Sequence, residues 1–111
     1  WPYRAKFGPY ARGRAGKDAG LHPSVIPWLK QRDIAILGSD HPQGVNPTPD
    51  TPNAVHDFAL VSLGIHLLDN CDLEALGDAA AQRKRWEFML TVAPLPVEGG
   101  TGSPVNPIGT F

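Results

Sequence analysis

Cysteine and methionine occur once each, as Cys71 and Met89. A lone cysteine excludes an internal disulfide, so packing alone must hold the fold, and a reducing, cytoplasmic setting is the default expectation. With its methionine deep inside, the 111-residue chain opens on Trp1. We therefore expect a processed chain, a cleaved fragment or the ordered part of something longer. Long hydrophobic runs are missing too: none approaches the ~18 residues of a membrane span, and no secretory core is visible, so no membrane role is expected. Nor is there an excess of one charge. Ten Lys and Arg against eleven Asp and Glu leave a net charge of −1, which argues against a dedicated nucleic-acid partner. No internal repeat is present.

What is present suits one modest domain. Hydrophobic residues make up 41% and charged residues 19% of the chain, ordinary for a folded α/β layer and too apolar for wholesale disorder. Gly and Pro, twelve each, gather at the two ends and around 38–52, which marks loops. Residues 1–18 read as an irregular basic and aromatic arm. Arg4, Lys6, Arg12, Arg14 and Lys17 alternate with Trp1, Tyr3, Phe7 and Tyr10. Such interleaving can bind single strands, but its glycines and prolines leave no fixed platform, and docking of the aromatics on the rest of the molecule is the plainer expectation.

From there helices alternate with strands. Ser24 is placed to cap a short helix with Val25, Ile26, Trp28 and Leu29 as its buried stripe. Ile34 to Leu37 reads as a buried strand. Thr51, with Pro52 behind it, should cap a largely buried central helix. Val55, Phe58, Ala59 and Ser62 form one face of it, His56, Leu60 and Leu63 the next, and Gly64 is its stop. A strand over 65–69 follows, then a helix capped by Asp72 and running from Leu73 to about Arg83. A strand over 86–92, with Trp86, Phe88, Leu90 and Val92 on one face, and a last short strand within 105–111 complete the series.

The stretch around residue 60 carries the chemistry. His56 lies near the start of the central helix and Asp69 at the far end of the following strand. Consecutive helix and strand pack to bury their apolar faces, so the two side chains can converge. Strand alternation turns His66 away from Asp69. A catalytic metal takes about three protein ligands, and no second His/Asp cluster stands at ligand spacing, so the pair is at most part of a site. His22 and His41 fall near loops, where solvent exposure is the ordinary outcome. Asp40 can pair with Arg32 or Lys30 as readily as act in chemistry. Ser39 and Ser103 have no evident base beside them. The run GGTGSP over 99–104 can present N–H groups to an anion but lacks the lysine of a phosphate loop.

Three segments, AGLHPSVIPWLKQRDIAILGSD (19–40), VHDFALVSLGIHLLDNCDLEAL (55–76) and RWEFMLTVAPLPVEGGTGSPVNPIGTF (85–111), resemble the metal-dependent cyclase family in that order. This group includes kynurenine formamidases and isatin hydrolases. The resemblance covers about four-fifths of the chain and implies a cyclase-type, swivelling β/α layered fold. Residues 19–111 would be the C-terminal portion of such a domain, with about three helices and four to five strands. It also implies a hydrolase that opens amide, formamide or cyclic imide C–N bonds of a small molecule, as in tryptophan breakdown to kynurenine, with zinc or manganese as the divalent metal.

The family's chief ligand run, His-x-x-x-His-x-Asp-x-Pro-x-His, is absent here. Its helix His and later Glu match His56 and Asp69, the acid being one methylene shorter. His22, Asp40, Thr101 and Ser103 fall in segments that lie near the family's pocket, which implies substrate contact. The catalytic acid or base would lie outside this chain. The missing N-terminal half would have been removed, disordered or supplied by another chain, and the open strand edges of half a fold point to a homo-oligomer. The competing expectation is a binding or assembly module of the same fold without catalysis.

Overall fold

The computed structural model describes residues 20–42 and 54–111. The arm over 1–18, the prolines of the 43–50 loop and the expected cap Thr51 lie outside the described residues. The described chain contains three α-helical segments and four short strands, and it divides into two compact units that meet in sequence at Leu73 and Glu74.

In the first unit, a 3₁₀ turn over Pro23–Val25 leads into helix α1, Ile26–Gln31. Ser24 is not the cap. His22 holds that place, its Nδ1 accepting the Ser24 N–H at 3.2 Å, because the extra turn moves the start of the helix back by several residues. Of the expected stripe, Leu29 is buried while Val25 and Ile26 are half-buried. Trp28 instead points to solvent under the guanidinium of Arg32, 5.2 Å from its ring centroid, an arrangement that satisfies cation and ring at the surface.

Strand β1, Ile36–Gly38, lies parallel to β2, His66–Leu68, in the register Ile36 with His66 and Gly38 with Leu68. Parallel neighbours need a crossover. This one passes through α2, Ala54–His56, which widens without a break into a π-helical turn over Asp57–Ser62. The core of the unit is Leu29, Ala59 and Ile65, with Ile34, Leu37, Leu63 and Leu67 packed against it.

Two expectations fail at this point. The central helix is not largely buried: Ala54, Val55 and Ala59 face inward, but Phe58, Leu60 and Val61 are exposed. A π turn closes i to i+5, as Leu63 N–H does onto Phe58 O at 3.0 Å, so the α-helical spacing that grouped Phe58 and Ser62 with Val55 no longer applies. Strand β1 is also not fully buried, since Ile36 is exposed and Leu37 half-buried.

Three chain reversals share one device. After α1, Asp33 takes φ 53° and the Ile34 N–H bonds Leu29 O. After helix α3, Glu74–Arg83, Lys84 takes φ 50° and the Arg85 N–H bonds Ala80 O. Gly64, at φ 67°, does the same after the π turn, but there the Ile65 N–H reaches Ala59 O, one residue further back, because the turn is wider. A left-handed residue is the usual helix close, and glycine adopts it without strain.

The second unit holds α3 and an antiparallel pair, β3 (Met89–Thr91) and β4 (Ile108–Thr110). Helix α3 starts at Glu74, a residue later than expected. The expected strand over 86–92 shrinks to three residues, with Trp86 and Leu90 exposed and Phe88 half-buried. Phe88 meets Phe111 with ring centroids 5.5 Å apart, and Arg83 covers Phe111 at 5.1 Å. Gly109 sits beneath this group, where a β-carbon would come within 2.8 Å of Leu76 Cδ1.

Two glycine substitutions separate conformation from space. Gly64→Ala meets nothing within 4 Å, so its cost is the left-handed backbone, about 1–2 kcal/mol. Gly109→Ala has an ordinary backbone but collides with Leu76 and Phe88, for about 1–3 kcal/mol. Urea unfolding of the two variants checks both, and a Leu76→Ala background should relieve only the second.

Candidate metal centre

His56 is the last residue of α2, and Asp69 follows directly on β2. The parallel pairing of β1 and β2 and the close at Gly64 carry the strand end back beside the helix. His56 Nε2 and Asp69 Oδ2 meet at 2.9 Å. The carboxylate can only accept, so Nε2 carries the proton. The side chains keep 29% and 26% of their exposure, so the pair is open to a small ion from solvent.

A cation can occupy this place only if two ligand atoms can share it. Zinc bonds of ~2.0–2.2 Å at a tetrahedral angle set neighbouring ligands roughly 3.4 Å apart, a few tenths of an ångström beyond the present contact. Imidazole nitrogen and carboxylate oxygen are also the right donor types. The residues therefore fit as two ligands of a divalent ion, once the proton leaves Nε2. Among the described residues no group of three or more His, Cys, Asp or Glu could hold a metal, so these two remain a partial set.

The other expected site residues are spread along the chain. His22 is exposed, and its Nδ1 serves the local turn with the Ser24 N–H and hydroxyl. Asp40 is exposed on the loop leaving β1. Thr101 and Ser103 belong to the second unit; Thr101 is exposed, and the Ser103 hydroxyl accepts the Leu95 N–H at 3.0 Å. In GGTGSP, the Gly100 N–H already closes a turn on Val97 O at 3.0 Å. His66 is exposed on β2.

Sequence reasoning passed over three neighbours of the pair. The loops after β1 and β2 are tied together, with Ser39 N–H on Leu68 O at 3.0 Å and Cys71 N–H on Ser39 O at 2.9 Å. The Ser39 hydroxyl donates to His41 O. His41 is not the solvent-exposed side chain expected, for its Nε2 is buried without a partner, as is Asn70 Oδ1. Only Pro42 and the β1–β2 ladder hinted at so fixed a loop. Burial and, second, the charge of Asp69 push the Cys71 thiol above its ordinary value.

Parallel strands joined through a helical crossover, with an imidazole and a carboxylate meeting at their carboxyl end, make this a partial α/β domain of cyclase type. No family model matches the chain, but two known proteins do. It is similar to a kynurenine formamidase of Bacillus cereus, 31% identical over 88 residues, which span 79% of this chain and 38% of that protein. It also superposes on the crystal structure of a novel cyclase with a TM-score of 0.66 and 33% identity, over 78% of this chain and 28% of that one. The chain is thus related to the cyclase family, and it spans well under half the length of either relative.

Removing the acid's charge should free the neighbouring thiol. Asp69→Asn takes away one of the two causes that keep Cys71 protonated, so its alkylation by iodoacetamide at pH 8 should speed up severalfold, and the pH profile of that rate should move down. Burial remains, so the profile should still lie above that of a free cysteine.

Proposed function

We propose that this chain contributes two ligands, His56 and Asp69, to a divalent-metal centre in a cyclase-family hydrolase. Its substrate would be a small molecule with an amide, formamide or cyclic imide C–N bond. The observation behind this reading is the 2.9 Å meeting of an imidazole and a carboxylate from separate elements, in a chain related to a kynurenine formamidase. Zinc or manganese suits one nitrogen and one oxygen donor. When bound, such an ion supplies Lewis acidity toward the carbonyl under attack.

The chain's own residues hold and orient. His56 yields the Nε2 proton and turns its lone pair inward, while Asp69 lends negative charge. Asp40, on the loop beside Asp69, offers a carboxylate to polar groups of the substrate, and His22, Thr101 and Ser103 extend the same role. The Ser103 oxygen is engaged by Leu95, so what it offers a ligand is its O–H. The proton-transfer group and the remaining ligands come from polypeptide beyond these 111 residues, in the same subunit or another. The exposed Phe58, Leu60 and Val61 of the first unit, and Met89, Leu90 and Ile108 of the second, are the apolar surface such a complement or a second copy would cover. The single cysteine suits a reducing, cytoplasmic setting.

Zinc titration followed by calorimetry tests the reading. The 111 residues should bind zinc weakly, and His56→Ala or Asp69→Ala should each weaken binding by about tenfold or more, at least the loss seen when a ligand's supporting partner is removed. Formamide hydrolysis by the chain alone should stay at background. A non-catalytic module predicts no zinc affinity for the parent chain, and equal behaviour of parent and variants would overturn the metal centre.

A further inference from the structure

Two acceptors in the first unit are buried and unanswered: the Nε2 of His41 and the Oδ1 of Asn70. Buried acceptors without a donor are costly, and native structures retain few of them. Both sit on the loops that leave the carboxyl ends of β1 and β2, the edge of a parallel sheet where ligands bind. These loops are held firmly. Ser39 joins them through its N–H to Leu68 O and its carbonyl to the Cys71 N–H, and its hydroxyl reaches His41 O. The His41 ring is fixed as well, for Nδ1 lies against Pro42 O. A carbonyl can only accept, so Nδ1 carries the ring proton and Nε2 is left with a lone pair. Asn70 holds a left-handed φ of 63°, a strained state for a residue with a side chain and one that gathers at ligand sites.

The geometry points to a ligand-recognition site in which His41 Nε2 and Asn70 Oδ1 accept hydrogen bonds from N–H groups of a small secondary amide. Neither acceptor carries charge, so a neutral N–H donor is the matching chemistry, and an anion is excluded because nothing there donates to it. Asn70 follows Asp69 directly, so the amide N–H would be gripped next to the place where His56 and Asp69 meet. This assignment deepens the proposed function by naming the half of the C–N bond that these loops recognise, and it rests on that reading for the reaction only. Binding itself needs no metal.

The experiment uses the labelled 111-residue chain with a chelator present and formanilide as probe. Formanilide should give saturable shifts of the His41 ring and the Asn70 amide, and N-methylformanilide, which has no N–H, should bind at least tenfold more weakly. His41→Phe removes the lone pair, and Asn70→Gly removes the amide while easing the backbone. Each should cut formanilide binding severalfold without lowering the melting temperature, whereas a merely structural role would lower the melting temperature and leave the preference for the N–H untouched. Equal binding of the two probes, no saturable shift, or undiminished binding by the variants would overturn the assignment. Loss of zinc affinity with formanilide recognition intact would instead remove the metal centre and leave this site standing.

Discussion

The first unit depends on the reversal at Gly64. Its positive φ lets the Ile65 N–H turn back onto Ala59 O at 2.8 Å and drives Ile65 into the core against Leu29 and Ala59. Burying that side chain sets the direction and register of β2, because a strand slipped by one residue would turn Ile65 and Leu67 out of the core. Once the register is set, Asp69 arrives at His56 and the loop beyond it locks onto Ser39. The chemistry at the strand ends is thus a consequence of how one turn closes.

The π turn is the less expected part of that closure. It adds a residue to the helix without breaking it, and it leaves Phe58, Leu60 and Val61 exposed while Ala59 stays in the core. Wide turns of this kind are uncommon and concentrate at functional sites. Here the turn begins immediately after His56, so the residue that meets the acid is also the last one in regular α-helix. The second unit is built differently: Ala80 is its buried hydrophobic side chain, and a ring pair with Arg83 over Phe111 does much of the packing.

Much of the layout was legible in the residues. Gly64 as a stop, the alternation of helix and strand, and the meeting of His56 with Asp69 across thirteen residues all follow from local preference and the need of neighbouring elements to bury apolar faces. Other features were not. Asp33 and Lys84 close their helices in the left-handed state, which their side chains do not advertise as a glycine does. The capping role of His22 was hidden because Ser24 is the stronger local signal. His41 looked like a loop residue open to water, and only the strand-end hydrogen bonds bury its free nitrogen.

Taken alone, the sequence determined the class of fold, the order of elements, the likeness to the cyclase family and the two side chains to watch, since these depend on composition, periodicity and local stops. The three-dimensional arrangement decided which faces are covered, where the helix widens, and which acceptors are sealed away from water. Those outcomes depend on contacts between segments far apart in the chain. A hydrogen-bond partner or its absence is a property of such contacts, and no single segment carries it.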